Sequence, residues 1–101
     1  MKPGTTQLTV TETAQAYGDA IYELRVHKDR RWSQRDLARV ISTSNSVVCQ
    51  WERGCITPTR RSIDKLCQAF GMTCAEFKQR VAVCRRDIRR KKQAKEVSRI
   101  T

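Results

Sequence analysis

The feature that most constrains the fold is residues 33–54, where two short helical patterns meet across a brief turn. Ser33 precedes the first pattern and Asp36 follows three positions later, the spacing of a capping box with Asp in place of Glu. Ser44 is the N-cap of the second pattern, and Gly54 follows its end as a C′ residue. These signals predict two short consecutive helices, a helix-turn-helix.

The second of these helices has a dry face and a polar face. On a helix that advances about 100° per residue, Val47, Val48 and Trp51 fall together and are expected to pack inward. The opposite arc carries Asn45, Ser46, Cys49, Gln50 and Arg53. Asn and Gln can bond adenine through two hydrogen bonds, and Ser can bond several base edges. A face that is merely solvated usually favours Lys and Glu, so the pattern predicts readout in the DNA major groove.

Charge and length agree with that prediction. A chain of 101 residues allows one domain with one modest core. Its 21 Lys and Arg against 10 Asp and Glu give +11, which favours DNA, RNA or anionic lipid as partner. Ten of those cations lie in residues 78–101. The sequence shows neither a membrane span nor a signal peptide, so we expect no membrane partner and a cytoplasmic location.

Apolar periodicity predicts three more helices and no strands. One runs from Ala14 to about Lys28, one from Thr59 to Gly71, and one opens at Cys74. The fold class is therefore all-α with five helices. We divide it into a flexible N-terminal arm at 1–13, a helix-turn-helix DNA-binding domain at 14–81, and a basic C-terminal helix or tail at 82–101.

The last predicted helix has a narrow apolar stripe with two interpretations. The stripe consists of Phe77, Val81, Cys84 and Ile88. All of it packs on the domain's own core, or its distal half pairs with a second copy of the chain. We favour dimerisation for the distal half, because the compact domain should be complete by Val81. The basic run at 89–92 follows phosphates, adds salt-sensitive affinity, or stays disordered.

One run of the sequence extends from Leu37-Ala38 to Trp51-Glu52-Arg53-Gly54, with Ser33-Gln34 before it and Thr57-Pro58-Thr59 after it. This run resembles the Cro/C1-type (XRE-type) helix-turn-helix family of phage and bacterial regulators. The resemblance covers about residues 32–77. It implies a compact five-helix lambda-repressor-like domain with a basic C-terminal helical extension. It also implies a homodimer on double-stranded DNA, at a pseudo-palindromic operator.

The resemblance assigns residues to that interface. It implies base contacts from Asn45, Ser46 and Gln50, and Cys49 joins them by contacting a thymine methyl or by filling space. The predicted phosphate contacts are Gln34, Arg35, Ser44, Arg53, Arg60 and Arg61. The family also implies that Gln34 braces Asn45 and that Glu52 pairs with Arg25.

The sequence departs from the family pattern in the turn and the first connection. Ser42 stands where the family usually has Gly, so either a serine adopts a left-handed conformation or the turn is altered. The connection before Ser33 is about two residues longer than usual, which bears on the Arg25 pairing. Arg30, Arg31, Arg35 and Arg39 line the phosphate backbone or are only solvated.

The remaining polar residues favour no enzyme, metal or cofactor. The five cysteines include no Cys-x-x-Cys pair, and His27 is the only histidine. We therefore expect reduced thiols, most of them buried as small apolar residues. Trp32 is expected to pack rather than stack on bases, and His27 to lie at the surface.

The sequence thus predicts a sequence-specific transcriptional regulator, a dimeric repressor of a phage, plasmid or bacterial operon. One alternative is an antitoxin that silences a toxin partner and autoregulates its operon, which co-purification would reveal. Another is an RNA-binding or coactivator module that uses the basic tail, which removal of residues 89–101 would abolish.

Overall fold

The computed structural model describes residues 11–100, with side chains described through residue 91, and contains five helices there. They are α1 (Glu12–Arg25), α2 (Gln34–Val40), α3 (Asn45–Glu52), α4 (Arg60–Phe70) and α5 (Cys74–Ile100). The all-α fold and the helical C-terminal extension are confirmed. Most of the predicted arm, residues 1–10, lies outside the described residues.

The predicted capping residues begin the helices as expected. The Ser33 hydroxyl accepts from the Asp36 amide at 3.0 Å, and an Asp36 carboxylate oxygen accepts from the Ser33 amide at 3.0 Å. That hydrogen bond lowers the pKa of Asp36. Thr73 and Glu76 form the same reciprocal pair at α5. The prediction for α1 was two residues late, because Thr11 caps it by accepting from the Ala14 amide.

Three helices end with the same left-handed turn. After α2, Ser42 adopts φ +59°, and the Thr43 amide donates to the Ala38 carbonyl at 2.8 Å. Gly54 after α3 and Gly71 after α4 also have positive φ and the equivalent hydrogen bonds. This is the Schellman arrangement, in which glycine is usual because it has no Cβ. The turn therefore keeps the geometry of a glycine turn, with Ser42 in the left-handed conformation.

The core lies between α1 and the other four helices. Its fully enclosed large side chains are Ile21 of α1, Leu37 of α2, Val48 of α3, Leu66 of α4 and Phe77 of α5. Each helix therefore contributes a side chain to one shared cluster. Burying a side chain of this size stabilises a fold by about 1.5–3 kcal/mol, so all five helices are tied to a single core.

The expectation that Cys84 and Ile88 pair with a second copy is wrong. Only 4% of Cys84 and 7% of Ile88 is exposed, and both belong to the same core cluster as Phe77 and Val81. The compact core continues beyond Val81 because α5 packs along α1 as one unbroken helix. The sequence analysis missed this packing because the rest of the helix is polar, yet a single apolar stripe is enough to bury one face of a helix.

The long connection between α1 and α2 is closed by Arg30. Its guanidinium donates to the Leu24 carbonyl at 3.0 Å and to the Phe70 carbonyl at 2.5 Å. It also lies 5.9 Å from the ring centre of Trp32, which stacks on Phe70. The interpretation of Arg30 as a phosphate contact is therefore wrong, because its donors hold the ends of α1 and α4. Trp32 packs as expected, and His27 is exposed.

The cysteines are less buried than the sequence suggested. All five are free thiols, but only Cys67 and Cys84 are buried. Cys49 and Cys74 are half-buried and Cys55 is exposed, so the expectation that most of them fill the core is wrong. None of the helices in the described part of the chain has the length and apolar character needed to cross a membrane.

Candidate nucleic-acid interface

The structure confirms the predicted division of α3 into two faces. Val48 and Trp51 are buried, at 0% and 2% exposure. Asn45, Ser46 and Gln50 are exposed. Cys49 lies half-buried at the edge of the exposed face. The predicted base-contacting residues therefore share one accessible surface, while their contacts with bases stay a prediction.

Both ends of α3 are satisfied locally, which fixes its length and direction. The Ser44 hydroxyl accepts from the Val47 amide at 3.2 Å. At the other end, the Cys55 amide donates to the Gln50 carbonyl and the Gly54 amide to the Trp51 carbonyl, each at 3.0 Å. The short helix thus presents a defined polar face rather than a frayed end.

The predicted Arg25–Glu52 pair is formed and joins α1 to the end of α3. Arg25 Nε donates to Glu52 Oε2 at 2.6 Å, and Nη2 donates to Oε1 at 2.9 Å. A third bond runs from Nη1 to the Trp32 carbonyl at 2.8 Å. The two side chains are only 10% and 7% exposed. The hydrogen bond to Glu52 raises the pKa of Arg25, so the guanidinium stays charged, and its three hydrogen bonds fix its position.

Gln34 belongs to the same network. Its Nε2 donates to Glu52 Oε1 at 3.0 Å, so one carboxylate serves both α1 and α2. The family resemblance implied that this amide braces Asn45, but in the structure it is bonded to Glu52 instead. The link places the first residue of α2 beside the last residue of α3.

Gly18 is a positioning residue that the sequence analysis missed. A Cβ built on Gly18 would overlap the Trp51 carbonyl oxygen and lie 3.0 Å from Glu52 Cα. The backbones of α1 and α3 therefore approach as closely as a glycine allows. The available signal was a glycine inside a helical pattern, which costs helix stability and usually has a packing reason.

The predicted phosphate contacts lie at helix ends around this face. Gln34 and Arg35 occupy the first turn of α2, and Arg60 and Arg61 occupy the first turn of α4. Free backbone amides and the positive end of the helix dipole make such positions suited to phosphate. Five of the six predicted phosphate contacts have exposed side chains: Arg35, Ser44, Arg53, Arg60 and Arg61. Their contacts with phosphate remain predictions.

Comparison with known proteins places this arrangement in a family. The family model described as helix-turn-helix matches residues 21–77. The chain belongs to this helix-turn-helix family. The resemblance to Cro/C1-type regulators is thereby confirmed. The family places the chain among the DNA-binding transcriptional regulators.

A solved structure shares the fold. The crystal structure of the clp gene regulator ClgR from Corynebacterium glutamicum matches with a TM-score of 0.76. The match covers 88% of this chain and 93% of that chain at 20% sequence identity. No curated protein matches the sequence closely enough to count as a relative. The likeness to the solved structure concerns the fold alone.

Proposed function

We propose that this helix-turn-helix protein is a dimeric repressor that reads a pseudo-palindromic operator with α3. The observation that carries the proposal is the face formed by Asn45, Ser46 and Gln50. These short polar side chains are exposed on a helix whose opposite side is locked into the core. They can reach base edges without a large conformational cost, because the helix is fixed before DNA arrives.

The surrounding charges support a docking mode in which α3 enters the major groove. The first turns of α2 and α4 carry exposed cations. Phosphate contacts at these positions would set the register, and base contacts from α3 would select the sequence. The predicted α3 residues near its N-terminus, Asn45 and Ser46, would lie deepest in the groove.

Dimer symmetry gives the operator its form. Two copies related by a twofold axis would read half-sites about one helical turn apart, ~34 Å. Bound over a promoter, such a dimer would exclude RNA polymerase sterically. This activity belongs in the cytoplasm of a bacterial cell or a phage-infected host. The antitoxin alternative placed toxin binding on the apolar stripe of the last helix or on the N-terminal arm. The stripe is buried, and most of the arm, residues 1–10, lies outside the described residues.

The test is selection from a random duplex pool by wild type and by Asn45→Ala/Gln50→Ala. We expect wild type to select a pseudo-palindrome and the double variant to lose that preference while keeping non-specific, salt-sensitive binding. Because both positions are exposed, circular dichroism should show an unchanged fold.

A matched control changes two exposed glutamines elsewhere, Gln15→Ala/Gln79→Ala on α1 and α5. This control should select the wild-type motif. If wild type selects no motif, or if the same motif survives the loss of Asn45 and Gln50, the assignment of α3 as the reading helix is wrong.

A further inference from the structure

A basic groove runs between α1 and α5, and none of its lining residues belongs to α3. Its volume is about 410 Å³. Its cations come from α5 and are Lys78, Arg85, Arg86 and Arg89. Tyr17, Val81 and Ala82 form the apolar part of its lining, and no carboxylate lines it. The groove is therefore a concave surface of one charge sign.

Among the side chains that the structure describes, three of the four cations have no carboxylate partner. Arg89 Nε bonds Glu12 Oε1 at 2.8 Å. Among the side chains described through residue 91, no carboxylate lies within 4.0 Å of Lys78, Arg85 or Arg86. Like charges held side by side repel one another, and for these three cations no ion pair among the described side chains offsets that repulsion. An external anion would relieve that repulsion.

The cations form a stripe whose length suits a duplex. Residues 78, 85 and 89 recur at helical spacing on one side of α5, with residue 86 beside them. From Lys78 to Arg89 the helix rises about 16 Å, at about 1.5 Å per residue. One DNA strand places about five phosphates in that distance, at about 3.4 Å each. The stripe thus fits a row of anions better than a single small one.

The stripe begins beside a second groove that contains a predicted phosphate contact. This groove, of about 420 Å³, shares Tyr17 and Lys78 with the first, and its lining includes Arg60 and the Asp64 carboxylate. Arg60 is the first residue of α4, exposed at the helix N-terminus. The two grooves therefore adjoin at Lys78, and the uniformly cationic surface is confined to the α5 groove.

We propose that Lys78, Arg85, Arg86 and Arg89, the α5 stripe, contact the DNA phosphate backbone and extend the footprint beyond α2, α3 and α4. The inference rests on the proposed function, since it requires DNA bound at the reading face. It assigns α5 a role in affinity rather than in sequence selection, because phosphates carry no direct base information. The apolar lining would suit an acidic protein segment instead, and the test separates the two.

The experiment compares Lys78→Gln/Arg85→Gln with Lys28→Gln/Arg80→Gln. Both variants remove two exposed positive charges, but Lys28 lies in the connection after α1 and Arg80 points away from the stripe by the helical repeat. Binding to the selected operator and to a scrambled duplex is measured from about 50 to 200 mM salt. We expect the stripe variant to lower the slope of log K against log salt by about 2 on both duplexes. The control should keep the wild-type slope.

Equal losses in both variants would show a general effect of net charge and overturn the inference. An unchanged slope in the stripe variant would overturn it too, and binding of poly-glutamate lost only in that variant would then assign the groove to an acidic segment. Failure of the proposed function is separate. It appears as the absence of a selected operator in wild type, whereas failure of the α5 stripe leaves operator selection intact.

Discussion

Helix α1 makes two contacts that solve different problems. Its contact with α3 is close and polar, with Gly18 against the Trp51 carbonyl and Arg25 bonded to Glu52. Its contact with α5 is mainly a buried apolar stripe, with the Glu12–Arg89 ion pair at the rim and a long hydrogen bond of 3.8 Å from the Cys84 thiol to Glu23. Directional bonds fix the orientation of a reading helix, whereas apolar burial supplies stability without demanding one geometry. The molecule uses each where it is needed.

The largest expected effect comes from breaking the polar contact at Glu52. Glu52→Ala leaves the Arg25 guanidinium buried without its carboxylate and removes the partner of Gln34. We expect the free energy of unfolding to fall by about 3–5 kcal/mol, as for other buried pairs that lose one member. Urea unfolding followed by circular dichroism measures the change.

The matched control removes both charges, as Arg25→Met/Glu52→Leu. This variant should be less destabilised than Glu52→Ala, since no uncompensated charge remains. Operator selectivity should nevertheless fall, because the end of α3 is no longer bonded to α1 and α2. If Glu52→Ala is as stable as wild type, the α1–α3 contact depends on packing alone.

The apolar contact is tested at its far end by Ile88→Ala. Ile88 is 7% exposed within the monomer, so truncation leaves a cavity there. We expect a loss of about 2 kcal/mol in unfolding free energy, the low end for such changes. The loss should appear at protein concentrations where only monomer exists. A variant with normal monomer stability and a weakened dimer would instead return Ile88 to the subunit interface.

Gly18→Ala tests how closely α1 and α3 must approach. The added methyl group would overlap the Trp51 carbonyl oxygen, which is backbone and cannot rotate away. Overpacking costs about 1–3 kcal/mol, and better helix propensity returns about 0.5–1 kcal/mol. We therefore expect a net loss of roughly 1–2 kcal/mol and weaker operator binding. Gln15→Ala, an exposed change in the same helix, should be nearly neutral.

Thiol reactivity reports whether the apolar contact stays dry. Burial raises the pKa of Cys84 to about 11, from an ordinary value of 9.0. Alkylation should therefore modify exposed Cys55 first, and the buried Cys67 and Cys84 last. The raised pKa also sets the direction of the pH dependence of stability. The stabilising contribution of Cys84 is complete below pH 9.0 and is lost as pH rises through about 11.

Cys84→Ala should accordingly flatten the fall of unfolding free energy between those two pH values, relative to wild type. Cys67, whose pKa burial also raises to about 11, provides a second position with the same expectation. Rapid alkylation of Cys84 in the folded protein would mean that α5 separates readily from α1.

Local signals were readable from the sequence, and contacts between distant residues mostly were not. Ser33 with Asp36, Ser44 and Gly54 each act within a few residues, so their types and spacing were sufficient to predict them. The faces of α3 followed from helical periodicity. The Arg25–Glu52 pair came from the family resemblance rather than from spacing.

Arg30 and Gln34 show what the sequence could not supply. Each is a polar residue whose type suits solvent, phosphate or a protein carbonyl equally well. The partner of Arg30, Phe70, is forty residues away, and only the packed fold brings that carbonyl within reach. Cys84 and Ile88 were misjudged for a related reason, because a narrow stripe does not say which surface covers it.

The smallest effect on unfolding free energy is expected at the rim of the α1–α5 contact, where one ion pair can be tested for its part in both stability and DNA binding. Glu12→Gln breaks the exposed pair with Arg89, whose side chains are 28% and 58% exposed. Exposed pairs contribute about 1 kcal/mol or less, so unfolding should change little. Arg89 is then no longer held by a carboxylate and can neutralise a phosphate as fully as the other cations of the α5 stripe, which should steepen the salt dependence of DNA binding by about 0.9. Arg89→Gln breaks the same pair but removes the cation, so its slope should become shallower. If the two variants are similarly stable and their salt slopes change in opposite directions, this ion pair competes with DNA for Arg89. If the two slopes are equal, the pair has no part in DNA binding.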